Sequence, residues 1–178
     1  MADYNKVGLL AIRDNRLLLC RKRRGTTLLI LPGGCLEANE SDEECLRREA
    51  SEELGPVCLG PLEYIGSYRD AAAGDPFKTV QIALYRADLI GTPVPNSEIA
   101  ELIWAGPEED RSLFSPSIAN KILPDLIARR ILEWPLQSRE KNTLRNAPAA
   151  NEVHHQGDHR DDQQEVDQPA RHMKHRKS

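Results

Sequence analysis

No histidine occurs before His154; all five lie at or beyond that position in a chain of 178 residues. If the stretch that holds them is a tail, the rest cannot build a Ser-His-Asp or Cys-His site, nor a histidine-rich metal site, and acidic oxygen chemistry is what remains. The four cysteines, Cys20, Cys35, Cys45 and Cys58, include no C-x-x-C pair. That argues against zinc and a dithiol redox centre and for reduced, mostly buried thiols. No apolar run of about 18 residues exists, and Met1-Ala2-Asp3-Tyr4 lacks the basic and apolar regions of a signal peptide. The expectation is a cytoplasmic protein with no membrane contact. A formal net charge of −4 weighs against a general nucleic-acid binder, and 39% hydrophobic content suits one domain with a real core and a polar extension.

What is present is a crowd of acids. Between Gly34 and Gly55 the chain reads Gly34-x5-Glu40-x7-Arg48-Glu49-Ala50-x-Glu52-Glu53-x-Gly55. Ser41 with Glu44 forms a capping box, and Gly55 supplies a residue that can turn left-handed, so a helix is expected over 42–54. At roughly 100° per residue, Leu46, Ala50 and Leu54 form a stripe that can bury, with Glu49, Glu52 and Glu53 beside it. Glu49 is a like-charge neighbour of both other acids, and all three sit where the helix dipole disfavours anions. Folding alone would not choose this arrangement. A divalent cation reverses each of those terms, and hard oxygen ligands on one face suit Mg²⁺ or Mn²⁺ sharing its shell with a phosphate. Just upstream, Leu31-Pro32-Gly33-Gly34 reads as a loop whose backbone can come close to something small and charged.

The stretch from Gly34 to Gly55 resembles the signature of the Nudix hydrolase superfamily, G-x5-E-x7-R-E-U-x-E-E-x-G-U, where U is a bulky apolar residue. Every fixed glycine, arginine and glutamate is present; Ala50 stands at the first U, and Pro56 at the last with Val57 one place later. The resemblance implies an α/β/α sandwich with a mixed central sheet. It also implies a metal set of Glu49, Glu52, Glu53 and the Gly33 carbonyl, an Arg48 that orients the glutamates, and a structural or outer role for Glu40. Gly34, Glu40 and Gly55 are then the structural positions of the motif. The implied reaction is hydrolysis of a diphosphate linkage in a nucleoside diphosphate bonded to another group, with Mg²⁺ or Mn²⁺ as cofactor. The proton acceptor varies among members, so Glu49, Glu53 and two acids of a later loop, Glu98 and Glu101, all stand as catalytic candidates.

Around the motif, Val7–Ile12 and Leu17–Cys20 read as strands joined by a tight turn, and Thr26–Leu31 as a third strand. Leu62–Tyr68 and Thr79–Leu89 read as a pair around a polar loop, Arg69–Lys78, and Ile99–Trp104 as one strand more. Ser115-Pro116 opens a second helix with Ile118, Ile122, Leu126 and Ile127 at helical spacing, which Pro124 should kink or restart. The division expected is a domain over 1–136 and a polar, disordered tail over 137–178. The tail's histidines read as solvated rather than chelating.

Substrate contacts are expected from Arg21 and Arg23, alternate members of the run Arg21-Lys22-Arg23-Arg24, together with Gly34 and Tyr68. Tyr68, Phe77, Tyr85 and Phe114 could each flank a base, against core packing as the plainer role. Markers of NADH-cleaving, ADP-ribose and coenzyme A members of the family are missing. That leaves MutT-like hydrolysis of nucleoside triphosphates, oxidised ones included, ahead of ADP-ribose, dinucleoside polyphosphate or NADH cleavage and of a non-catalytic nucleotide-sensing module. The expected partner is a nucleotide-type small molecule, with a homodimer as the oligomer the chain would form.

Overall fold

The computed structural model describes residues 2–135, so the expected tail lies outside the described residues. The first apolar segment divides between two sheets. Its first part, β1 (Tyr4–Leu10), runs parallel to β6 (Asp75–Arg86), which pairs antiparallel with β5 (Glu63–Ala72), and the result is a mixed sheet in the order β1-β6-β5. After Ala11 the chain enters a second sheet as β2 (Ile12–Arg13), turns through Asp14 and Asn15, and returns as β3 (Arg16–Lys22), whose other neighbour is β8 (Ile99–Ala105). Asp14 and Asn15 hold φ of 51° and 57°, the left-handed pair that a two-residue hairpin turn requires. Short strands β4 (Cys58–Leu59) and β7 (Leu89–Ile90) make a third pairing.

Strand alternation sorts the apolar side chains onto two faces. Val7, Leu9, Leu18 and Cys20 pack with Cys45, Leu46, Ala50 and Leu54 of helix α1 (Asp42–Leu54). Leu10, Leu17 and Leu19 belong to the other cluster, with Ile118 and Ile122 of a π-helical turn (Ile118–Ile122) and Leu123 and Leu126 of α2 (Leu123–Ala128). Helices therefore cover both faces of the β layer, which is an α/β/α sandwich. The stripe Leu46, Ala50, Leu54 is 0%, 2% and 0% exposed. Truncating either leucine to alanine would cost roughly 2–5 kcal/mol. Pro124 lacks the N–H an α-helix would use, and the chain absorbs it by widening the preceding turn, where Leu123 N–H reaches the Ile118 carbonyl.

Three expectations need correction. The segment 26–31 is not a ladder strand; it makes only isolated bridges, Ile30 to Cys20 and Leu29 to Phe114, because it threads between β3 and the approach to the second helix. The polar stretch 69–78 is not an open loop, since β5 runs on to Ala72 and β6 begins at Asp75, leaving a two-residue connection. All four thiols are free, but only Cys20 and Cys45 are buried, while Cys35 and Cys58 are exposed. Among the described residues no helix is long and apolar enough to cross a membrane.

Candidate active site

Helix α1 begins with the capping box in both directions, Ser41 Oγ accepting from Glu44 N and Glu44 accepting from Ser41 N, and ends at Gly55 with φ of 72°. Its last carbonyls are taken up by the 94–98 loop: Val94 N–H donates to Leu54 O at 2.9 Å and Asn96 N–H to Glu53 O at 3.1 Å. The loop thus satisfies acceptors that an α-helix leaves free.

The Pro32-Gly33-Gly34 loop is sewn to β1, with Leu9 N–H donating to Pro32 O at 2.8 Å and Val7 N–H to Gly34 O at 2.9 Å. Between these anchors Gly33 takes φ of +125°, and a Cβ there would sit 2.2 Å from Val7 O, so only glycine fits. Its amide is turned to the helix and donates to Glu53 Oε2 at 2.8 Å. Glu53 is 1% exposed, and its other oxygen, Oε1, has no hydrogen-bond partner. Burial pushes its carboxyl up to about 7, against the Gly33 amide and Lys22, which favour the charged form.

Glu49 lies over Gly34 and accepts from Arg48 Nη1 at 2.9 Å. Arg48 grips Glu40 with two bonds, Nε to Oε1 at 2.8 Å and Nη2 to Oε2 at 3.0 Å. That fork holds the Glu40 carboxyl down at about 2 and raises the Arg48 guanidinium. Glu40 also accepts from Glu37 N at 2.9 Å, so it ties the loop before the helix to the arginine that aims Glu49. Glu52 stands farther out, 53% exposed and 3.7 Å from Arg48. Among the described residues no three His, Cys, Asp or Glu side chains converge into a ready metal cluster. The fold positions Glu49 and Glu53, with Glu52 at the rim.

A cation nevertheless fits this donor set. Glu53 Oε1 is a buried oxygen lacking a partner, Gly34 leaves room where any Cβ would collide with Glu49, and the donors are hard oxygens. Glu98 pairs with Lys22, and both act electrostatically on Glu53, so this loop acid belongs to the neighbourhood. Glu101 does not: 54% exposed, it is held by Arg21 Nε at 3.1 Å across the β3–β8 ladder.

Beside Gly33 opens a cleft of about 440 Å³. Its floor comes from β1 and β6, where Tyr4 and Lys6 stand opposite Val80 and Ile82, and its rim from Lys22, Arg24 and the 73–74 connection. Gly8 keeps the floor low, since a Cβ there would meet Ile82 Cγ2 at 2.9 Å. The basic run divides between two neighbouring pockets. Lys22 and Arg24 line the cleft, whereas Arg21 reaches Glu101 and the Thr27 carbonyl and Arg23 donates to Ile99 O. All four members of the run, Arg21 and Arg23 included, line an adjoining basic pocket beside the 73–74 connection. Lys22 continues the face of Leu18 and Cys20 toward Glu53, so plain alternation along β3 puts it there; the ladder irregularity between Arg21 and Lys22 adds its extra residue, Ala100, on β8.

Tyr68 does not line the cleft; it donates to Asp125 of α2, and burial together with that carboxylate raises its hydroxyl to about 12. Phe114 is core, Tyr85 donates to Asp42, and Phe77 is 95% exposed. Sequence reasoning missed Lys6, Ser115 and Ser117 as cleft residues. For Lys6 the signal was its placement on the same strand face as Tyr4 and Gly8.

The NUDIX domain family model matches residues 5–126. Among solved structures, the Escherichia coli ORF135 protein shares 27% identity over 71% of this chain and 89% of its own, with a TM-score of 0.56. A MutT NUDIX hydrolase from Burkholderia pseudomallei shares 24% over 65% of this chain and 94% of its own, TM-score 0.57. The MutT protein of Methanosarcina mazei Go1 shares 18% over 71% and 95%, TM-score 0.56, and at these last two identities the likeness is one of fold. A search of curated proteins finds no match. The family match runs from the cleft floor on β1, through the Gly33 loop and the glutamate helix, to α2, and on that extent the chain belongs to the Nudix family of hydrolases acting on pyrophosphate bonds.

Proposed function

We propose that this chain is a Mg²⁺- or Mn²⁺-dependent pyrophosphohydrolase of nucleotides, cleaving a nucleoside triphosphate, oxidised forms included, to monophosphate and pyrophosphate. The observation that carries the reading is Glu53, buried at 1% exposure with one oxygen fixed by the Gly33 amide and the other lacking a partner. A carboxylate placed so is costly unless something cationic completes it. Glu49, Glu52, Glu53 and the Gly33 carbonyl would hold the ion. When bound, it neutralises phosphate oxygens and makes water a better nucleophile.

The chain's own residues do the remaining work. Arg48, itself fixed by Glu40, keeps Glu49 aimed at the Gly34 loop. Lys6, Lys22 and Arg24 bring positive charge to the cleft walls, where the phosphates of a nucleotide need it. The attacking water's proton goes to a carboxylate of this group, Glu49 or Glu53 on the helix or Glu98 on the tethered loop. Catalysis is assigned to residues 1–136, with none to 137–178, and the setting is the cytoplasm.

The test is release of pyrophosphate or nucleoside monophosphate from a panel of nucleoside triphosphates, oxidised nucleotides, dinucleoside polyphosphates, ADP-ribose and NADH, with Mg²⁺ and with Mn²⁺. Release strongest from a triphosphate, and abolished in Glu52→Gln and Glu53→Gln proteins that keep their circular dichroism spectrum, is the expected result. Turnover undiminished in those variants would overturn the reading.

A further inference from the structure

We propose that the basic pocket beside the cleft is a second anion site, which takes a linear oligophosphate such as inorganic pyrophosphate. Binding there needs neither the metal nor the glutamates. The lining includes Arg21, Lys22, Arg23 and Arg24, with Thr26, Thr27 and the 73–74 connection, and no Asp or Glu is part of it. At about 660 Å³ it has room for a chain of phosphates. The cleft differs, since Leu31, Val80 and Ile82 give it an aliphatic wall that suits an organic group. The pocket offers charge and polar backbone instead, which suit a ligand that is anionic throughout.

Pairing within the protein compensates only part of that charge. Arg21 Nε is held by Glu101 at 3.1 Å, and Lys22 by Glu98. Arg23 gives its Nε to a neutral acceptor, the Ile99 carbonyl at 3.2 Å, and among the described residues the Arg24 guanidinium has no partner. Two consecutive arginines thus lack a carboxylate. Their mutual repulsion stabilises nothing in the fold, and an anion between them reverses it. A guanidinium presents a planar fork of donors that fits two phosphate oxygens, and a ligand with several phosphates can meet more than one fork. The frame around the cations is set before any ligand arrives. Arg21 Nη1 donates to the Thr27 carbonyl at 2.6 Å, Thr26 Oγ1 donates to Ala73 O at 3.1 Å, and a Cβ on Gly74 would lie 3.1 Å from Gly25 O. Binding therefore orders little that is not already ordered. Lys22, Arg24, Gly25 and Thr26 line both pocket and cleft, so an oligophosphate here lies next to a nucleotide held there. Two sources supply such a group: free pyrophosphate, and the phosphates beyond the third of a longer nucleotide.

Calorimetric titration of the full chain in chelator tests this, with inorganic pyrophosphate as the probe and sulfate at matched ionic strength as the control. Pyrophosphate is expected to bind more tightly than sulfate. Its affinity should fall about 5- to 10-fold in Arg23→Gln, which alters the pocket alone, and stay unchanged in Lys6→Gln, which alters the cleft alone. Thr27→Glu, which sets a carboxylate among the cations, should weaken binding as much and serves if Arg23→Gln fails to fold. Two further titrations separate the sources. Pyrophosphate that still binds a chain saturated with adenosine 5′-monophosphate marks a site for the free anion. Adenosine 5′-tetraphosphate that binds more tightly than the triphosphate, with the gain lost in Arg23→Gln, marks a site for the longer nucleotide. Pyrophosphate that binds no better than sulfate, or as tightly to Arg23→Gln and Thr27→Glu as to the unaltered chain, would overturn the proposal. Its full displacement by the monophosphate, with no gain from a fourth phosphate, would do the same.

Discussion

Glu49 occupies the space that any side chain at residue 34 would need: a Cβ on Gly34 would lie 2.1 Å from Glu49 Oε1 and 2.4 Å from its Cδ. The motif's first glycine is thus a vacancy kept for its glutamate, and the requirement is steric, since Gly34 is not among the positive-φ glycines.

Gly34→Ala should therefore leave the backbone unstrained yet push the Glu49 carboxylate off its Arg48 partner. Displacing a group that orients metal-site ligands costs roughly 10- to 100-fold in activity. Rates of pyrophosphate release, read beside thermal melts, should show a fall in kcat that a near-normal Tm does not explain.

Glu53 makes the metal-free protein sensitive to pH. Its folded carboxyl sits at about 7, above the ordinary 4.5, so the folded state binds the extra proton. Its contribution is full below 4.5 and is lost as pH rises through 7, a change on the order of 3 kcal/mol. Denaturant unfolding in chelator should show stability dropping across that window, with the drop flattened in Glu53→Gln. Adding Mg²⁺ or Mn²⁺ above pH 7 should raise the Tm of the unaltered chain and not of the variant. A metal-free stability that does not fall over this range would count against a buried, raised carboxyl.

Arg24 and Arg23 are neighbours in sequence with opposite surroundings, the first on the cleft wall and the second bonded to the Ile99 carbonyl. Arg24→Gln should raise KM for a nucleotide about tenfold with kcat little changed, the mark of lost uniform binding. Arg23→Gln should leave both constants within about twofold and show its effect in the melting curve instead. Steady-state kinetics on the pair decides the parity of the basic run.

Tyr68 is fastened to Asp125 on α2 rather than to the cleft. Tyr68→Phe should cost about 1 kcal/mol or somewhat more of unfolding free energy, because the acceptor is a carboxylate, and leave kcat/KM unaltered. A large change in KM with stability intact would return the residue to the substrate.

The reach of the sequence tracks how local each feature is. Helix α1 was readable to its end residues, because Ser41, Glu44 and Gly55 mark both ends by chemistry contained within the segment. The start of β8 at Ile99 and the burial of Ile118, Ile122 and Leu126 followed from spacing in the same way. What depended on distant partners was not readable. Alternation splits the run Arg21 to Arg24 into two sets but does not say which set faces the site; that depended on Leu18 and Cys20 packing against α1, which puts Lys22 on the glutamate side. The depth of Glu53 depends on a loop twenty residues away that lends it one amide, and the separate fates of Glu49, Glu52 and Glu53 could not be told apart on a helical wheel. Ser115 and Ser117 looked like a helix start; only the sheet floor opposite them made them part of a cleft.

The two backbone bonds from Val94 and Asn96 to the end of α1 carry a further meaning. They make the loop a ruler laid against the glutamates: adding or removing one residue between Gly91 and Glu98 would slide Glu98 along that scale without touching the motif itself. Variation in the length of this connection is thus a way for such a chain to retune its chemistry while every signature residue stays as it is.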